Sequence, residues 1–180
     1  MSSRLVLSLL AALALGIVIP ASRAQQTPAA PAPYPLDDVP EKMPFDVPYG
    51  APISLERARA AIAATVAEAR KHDWKLDIAV VDSGGNLVAF ERMDGAQLAS
   101  IQIAEHKART AATFRRETKV FEKGIQQNNN YYVMTLDGMI GSRGGIPLIE
   151  GGKLIGAIGC SGGTGSQDEV ACKAGVATIK

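Results

Sequence analysis

Twice in this chain an apolar run stops at a cluster of turn residues and a second apolar run follows at once. Leu76-Asp77-Ile78-Ala79-Val80-Val81-Asp82 meets Ser83-Gly84-Gly85-Asn86, and Leu87–Met93 follows. Ile146–Glu150 meets Gly151-Gly152, and Lys153–Cys160 follows. Connections this short leave no room for a crossover helix, so each pair reads as an antiparallel hairpin. A doubly wound parallel sheet is thereby excluded.

Helical spacing surrounds the hairpins. Leu55, Ala58, Ile62, Val66 and Ala69 recur at steps of three and four behind a capping Ser54, predicting a helix over Leu55–His72. His72 falls near its end, where a polar or cationic group complements the helix dipole. A second helix is predicted over about Gln97–Phe114 and a shorter one over 117–127. Asn128 to Gly145 reads as a long loop of the kind that often carries function. A last helix is expected over about Gln167–Ile179, with Ser166 and Glu169 as its capping box. The order α-β-β-α-(α)-β-β-α gives an α+β fold: a single antiparallel sheet of about four to five strands in two hairpins, with flanking helices.

The stretch Gly156–Gly175 carries a glycine-rich turn between strand and helix, a setting that often holds phosphate. Its spacing fails both phosphate patterns. From Gly163-Thr164-Gly165 the third glycine of the dinucleotide fingerprint falls on Asp168, and no Gly-Lys-Ser/Thr occurs. Asp168 and Glu169 in the first helical turn would also repel a phosphate. No nucleotide cofactor is expected, and the glycines read as a tight turn needing positive φ. Cys160 and Cys172 flank this turn. They are either a disulfide pair or two small buried residues.

The N-terminus reads as a signal peptide over 1–24: Arg4, an apolar run Leu5–Ile19, and Ser22-Arg23-Ala24 as a cleavage signal. The chain is therefore expected to be exported, periplasmic or secreted, with no membrane span in its mature form. Cleavage after Ala24 removes Arg4 and Arg23 and turns the net charge from +1 to about −1. That balance points to no nucleic-acid or membrane-surface partner. Residues 25–52 hold eight of the ten prolines, which blocks helices and ladder pairing. They read as a disordered or extended arm, with Tyr34, Phe45 and Tyr49 able to pack on the domain or a neighbour. The folded domain is expected over 53–180.

Four stretches in order carry a family resemblance. They are Ile78–Ala96 (IAVVDSGGNLVAFERMDGA), Lys107-Ala108-Arg109-Thr110-Ala111-Ala112, Gly144-Gly145-Ile146-Pro147-Leu148, and Ile155–Gly163 (IGAIGCSGG). Together they resemble the GlcG/HbpS family, the haem-degrading-domain group, over nearly all of 53–180. The resemblance implies an antiparallel sheet flanked by helices, a homo-oligomer and a tetrapyrrole-type ligand. It implies an exported haem-binding protein for storage, sensing or slow oxidative degradation. Relatives coordinate haem through a Thr or a His.

Within that frame the helix around 97–114 holds the candidate site. His106, Thr110 and Thr113 stand at i, i+4 and i+7, so they are expected to share a face. A neutral imidazole is a good haem-iron ligand, which makes His106 the candidate metal ligand, and a hydroxyl is a weaker one. Lys107, Arg109, Arg115 and Arg116 offer charge-assisted bonds to propionates, and Ile103 and Phe114 offer cover for the ring. No Cys-x-x-Cys-His is present, so covalent haem attachment is excluded. Glu91, Asp94 and Glu105 are candidates for weak iron binding. A second reading is an accessory protein or enzyme in alcohol or hydroxy-acid oxidation. There Arg143 on the 128–145 loop binds a carboxylate and His106 serves as acid/base.

Overall fold

The computed structural model describes residues 39–43 and 45–180. The expected signal peptide, most of the arm and Tyr34 lie outside the described residues. Leu55–Lys71 (α1) begins at Ser54, whose hydroxyl accepts the Arg57 N–H, and it buries Ala58, Ala61, Ile62, Thr65, Val66 and Ala69. Leu55 departs from the expected core stripe and stays 46% exposed. Asp77–Asp82 (β1) and Leu87–Arg92 (β2) form the first hairpin, and Gly145–Glu150 (β3) and Lys153–Ser161 (β4) form the second. Between them lie Ser100–Thr113 (α2), Thr118–Asn128 (α3) and a 3-10 turn at Tyr131–Thr135. Gly165–Val176 (α4) closes the chain.

The fold is α+β. Its one sheet has four strands in the order β2-β1-β4-β3, all antiparallel. The hairpins dock through their inner strands, β1 against β4, in a register running from Asp77 opposite Ser161 to Asp82 opposite Gly156. Alternation along β1 serves two layers. Ile78 and Val80 join Ile158, Leu148, Ile62 and Val66 beneath α1 and α4, while Ala79 and Val81 join Ala157 and Leu154 beneath α2. Both faces are covered, which is why β1 reads as an almost unbroken apolar run. Ile78, Val80 and Ile158 are wholly buried, and burying each side chain contributes about 1.5–3 kcal/mol.

Helix α2 sits unusually close to the sheet. Ala104, Ala108, Ala111 and Ala112 are its buried face, and the sheet answers with glycines. A Cβ at Gly159 would overlap the Ala104 carbonyl oxygen, and one at Gly145 would overlap that of Lys107.

The glycine-rich turn is structural. Gly162 has φ +145 and no room for a side chain against the Lys75 carbonyl. The helix after it starts two residues earlier than expected, and its capping box is Thr164 with Gln167 rather than Ser166 with Glu169. Both pairs fit the same sequence pattern, and the hydrogen bonds select the earlier one. Asp168 is instead buried, accepting from Lys107 Nζ at 2.7 Å and from the Gly163 N–H at 3.0 Å. Glu169 is buried against Lys119 and Lys173, and Arg143 lies 3.6 Å away. The cysteines are a disulfide, Cys160–Cys172, joining β4 to α4 with the Cα atoms 5.9 Å apart.

The last residues of the proline-rich segment belong to the domain. Strand β4 outruns β1, and the vacated edge is filled from upstream: the Leu154 N–H donates to Pro48 O at 2.8 Å, and the Gly50 N–H to Leu154 O at 2.7 Å. The Arg116 guanidinium stacks 3.4 Å from the Phe45 ring, and Tyr49 donates its hydroxyl hydrogen to Thr113 O at 2.9 Å. Among the described residues no helix is long and apolar enough to cross a membrane.

Candidate functional site

Because alanines hold one side of α2 to the sheet, its other side is presented to solvent as a fixed stripe. Gln102, His106, Arg109 and Thr113 are exposed along it. His106 makes no hydrogen bond or ion pair among the described residues. It lines a concavity of about 570 Å³ together with Leu98, Ala99, Ile101, Gln102 and Ile103. Leu98, on the turn before α2, is 72% exposed. One imidazole therefore faces a recess walled mainly by aliphatic side chains.

Arg109 lies three residues along the same stripe. Its Nε–H donates to Gly85 O at 3.4 Å, and it has no carboxylate partner among the described residues. The β1–β2 turn rests here. Gly85 has φ +84, and a Cβ on it would crowd Arg109 and Thr113. Asp82 holds that turn by accepting the Gly84 and Asn86 N–H groups at 2.8 and 2.9 Å. Burial pushes the Asp82 carboxyl up, but these donors outweigh it and bring its pKa below the usual range.

Thr110, expected on this face, and Lys107, expected to reach a propionate, are both turned inward. Thr110 is buried, and its hydroxyl donates to Gly138 O at 3.2 Å and accepts the Ile140 N–H at 3.1 Å. It clips the 128–145 loop to α2 instead of sharing the surface of His106. Lys107 is 1% exposed, with Nζ between Asp168 and the Cys160 carbonyl, 3.0 Å away. Its charge is consumed inside the fold and offers nothing to a propionate. Burial raises the Asp168 pKa, with Lys107 opposing. Thr113 does stand on the surface, with its hydroxyl donated to Arg109 O at 2.9 Å.

The remaining candidates disperse. Ile103 lines the recess, whereas Phe114 packs edge-on against Phe121 with centroids 5.2 Å apart. Arg115 and Arg116 turn to the upstream segment at Tyr49 and Phe45. Glu91 and Asp94 line a different recess with Arg70, Lys75 and Arg92. No group of three metal-binding side chains forms among the described residues, so these two do not join Glu105. Arg143 is held by Glu122 at 2.5 Å, and burial of Glu122 is outweighed by these bonds, which lower its pKa. A carboxylate ligand at Arg143 would have to displace Glu122. Sequence reasoning named Ile103 but missed the rest of the recess wall, at which only the apolar Leu98 in a polar turn hinted. His72 stacks on Trp74, centroids 4.3 Å apart, and contacts Glu68 at 3.4 Å.

An α+β sheet-and-helix domain that presents an unpartnered imidazole over an apolar surface recess is the class defined so far. Residues 53–177 match the family described as "Haem degrading protein HbpS-like", and the chain belongs to that family. It is 42% identical over 109 residues to Protein GlcG of Escherichia coli (strain K12), covering 61% of this chain and 81% of GlcG. A double mutant of Streptomyces reticuli HbpS superposes with a TM-score of 0.67 at 29% identity, covering 79% of this chain and 97% of that one. The crystal structure of a PduOC:heme complex superposes with a TM-score of 0.66 at 26% identity, covering 72% and 96%.

Proposed function

We propose that this protein binds haem, or a closely related tetrapyrrole, on the outer face of α2. The observation that carries the reading is the exposed His106, without a partner among the described residues, in the lining of the Leu98–Ile103 recess. The aliphatic walls suit the ring, the imidazole is a strong iron ligand, and Arg109, whose guanidinium has no carboxylate partner among the described residues, suits a propionate. Thr113 is the weaker alternative ligand on the same stripe. The haem held by PduOC and the family's description support the ligand class. The role is storage, sensing or slow oxidative degradation in the cell envelope, by a homo-oligomer. The leader-like 1–24 segment and a buried disulfide, which persists best in oxidising compartments, support export.

Titration of the mature protein with haemin tests this. The wild type develops a shifted Soret band, His106→Ala loses it, and Arg109→Ala keeps the band position with weaker affinity. No spectral change in the wild type, or an unchanged band in His106→Ala, overturns the assignment.

A further inference from the structure

Two side chains of opposite charge share an aliphatic recess without pairing. On α1, Leu55, Arg59 and Ile62 stand at i, i+4 and i+7, one stripe of the helix, and this stripe meets β2. On β2 the register with β1 skips a residue. Val80 lies opposite Ala89 and Val81 opposite Leu87, which leaves Val88 as the extra residue of a bulge. Neighbouring strand residues normally face opposite sides of a sheet. Here Val88 and Ala89 both pack with the core beneath α1. Bulges re-aim side chains in this way beside functional sites. The result is a recess of about 360 Å³ whose aliphatic lining is Leu55, Ile62, Val88 and Ala89, with Arg59 and Glu91 as its charged members.

Both charges are available. Arg57, two residues before Arg59, is taken up by Glu150, which accepts from its two terminal nitrogens at 2.9 and 2.7 Å. Arg59 has no ion pair or side-chain hydrogen bond among the described residues. Neither has Glu91, although it also borders the recess of Arg70, Lys75 and Arg92. Nor do Arg59 and Glu91 bridge to each other across the space they line. A ligand with one charge would satisfy one of them and strip water from the other without return. A ligand with both charges and an apolar body satisfies the pair and covers the aliphatic wall.

We propose that this recess binds a small zwitterion with an apolar side chain, an aliphatic α-amino acid being the simplest of that class. Arg59 takes the carboxylate through its fork of N–H donors. Glu91 accepts the ammonium, and the apolar chain lies against Leu55, Val88 and Ala89. The site is separate from the recess at His106: its walls are α1 and β2, and the two share no residue. It stands whether or not His106 holds haem.

Titration of the full mature chain with L-leucine, L-isoleucine and L-phenylalanine, followed by backbone amide chemical shifts, tests this. Shifts are expected over Leu55–Ile62 and Val88–Glu91 and not over Gln102–His106. Glycine lacks the apolar body, N-acetyl-leucine the ammonium and leucinamide the carboxylate. Each is expected to bind at least about tenfold more weakly than leucine. Arg59 and Glu91 are exposed, so Arg59→Gln and Glu91→Gln should keep the wild-type circular dichroism and lose about tenfold in affinity for leucine. The comparison of leucine with its blocked forms needs no variant. No shift with any of the amino acids, equal binding of leucine and either blocked form, or undiminished affinity in either variant overturns the proposal.

Discussion

Among the described residues, Asp77 is the buried polar side chain that the core does not satisfy. It is wholly buried at the start of β1, and neither carboxylate oxygen has a hydrogen-bond partner among the described residues. Burial pushes its pKa above the usual carboxylate value, with Arg92 on β2 opposing. The nearby Ser100 and Ser161 hydroxyls are bonded to one another at 3.0 Å. The cost is bounded from both sides. Leaving a buried acceptor without a donor costs about 1–3 kcal/mol. It cannot exceed the cost of protonating the group instead, which at pH 7 is about 4 kcal/mol for a carboxyl whose unfolded pKa is near 3.9. Asp77→Asn keeps the shape and removes the ionisation. Its amide still lacks partners, so only the charge penalty is relieved, and the expected gain is about 1 kcal/mol at pH 7, a rise of a few degrees in Tm. The sign with pH is fixed by the raised pKa. The wild type's neutral form is fully present below the unfolded value, and its contribution is lost as pH rises through the folded one. The advantage of Asp77→Asn must therefore vanish below about pH 4. Urea unfolding at neutral and acid pH measures both. Equal stabilities at pH 7 would mean that the carboxylate has a partner, and a gap that persists in acid would mean that ionisation is not its source; either result refutes the reasoning.

Two further predictions follow from the buried contacts around α4. Lys107→Met leaves Asp168 buried without its cation and should cost about 3–5 kcal/mol in urea unfolding; adding Asp168→Asn should recover part of that loss. Replacing Cys160 and Cys172 together with alanine opens a short loop and should cost about 3 kcal/mol, with a matching fall in Tm for the wild type under reductant.

The hairpins and helices were legible because their signals are local. Gly84-Gly85 and Gly151-Gly152 announce turns from a few residues, and the steps of three and four in α1 announce a buried face. What failed was reach. Lys107 reads as a surface cation because lysine usually is one, and its partner Asp168 stands 61 residues away. Thr110 was placed with His106 by helical spacing alone. Which side of α2 the 128–145 loop would cover depends on Gly138 and Ile140, a contact no local pattern encodes. Leu55 failed similarly: it borders an open recess beside Val88 and Ala89 instead of packing into the core. The site was half legible: His106, Arg109 and Thr113 lie on one stripe, while the recess depends on how the turn carrying Leu98 enters α2.

The two sides of α2 answer to different constraints, and that decides how ligand experiments must be read. Its inner side is fixed by glycines at 145 and 159, by alanines that leave no slack, and by Lys107 and Thr110, whose polar atoms are spent on β4, α4 and the loop. A site carried on a rigid element keeps its geometry whether or not ligand is present. Substitutions at Lys107 or Thr110 therefore reach His106 only by loosening the helix, and they should lower Tm together with haemin affinity. Substitution of His106 breaks no hydrogen bond within the described residues and should change the spectrum at constant Tm, whereas Arg109→Ala also gives up a long bond to Gly85 O and should lower Tm only slightly. If His106→Ala lowered stability as much as Lys107→Met does, the imidazole would be part of the fold, and its exposure would have been misread as availability for iron.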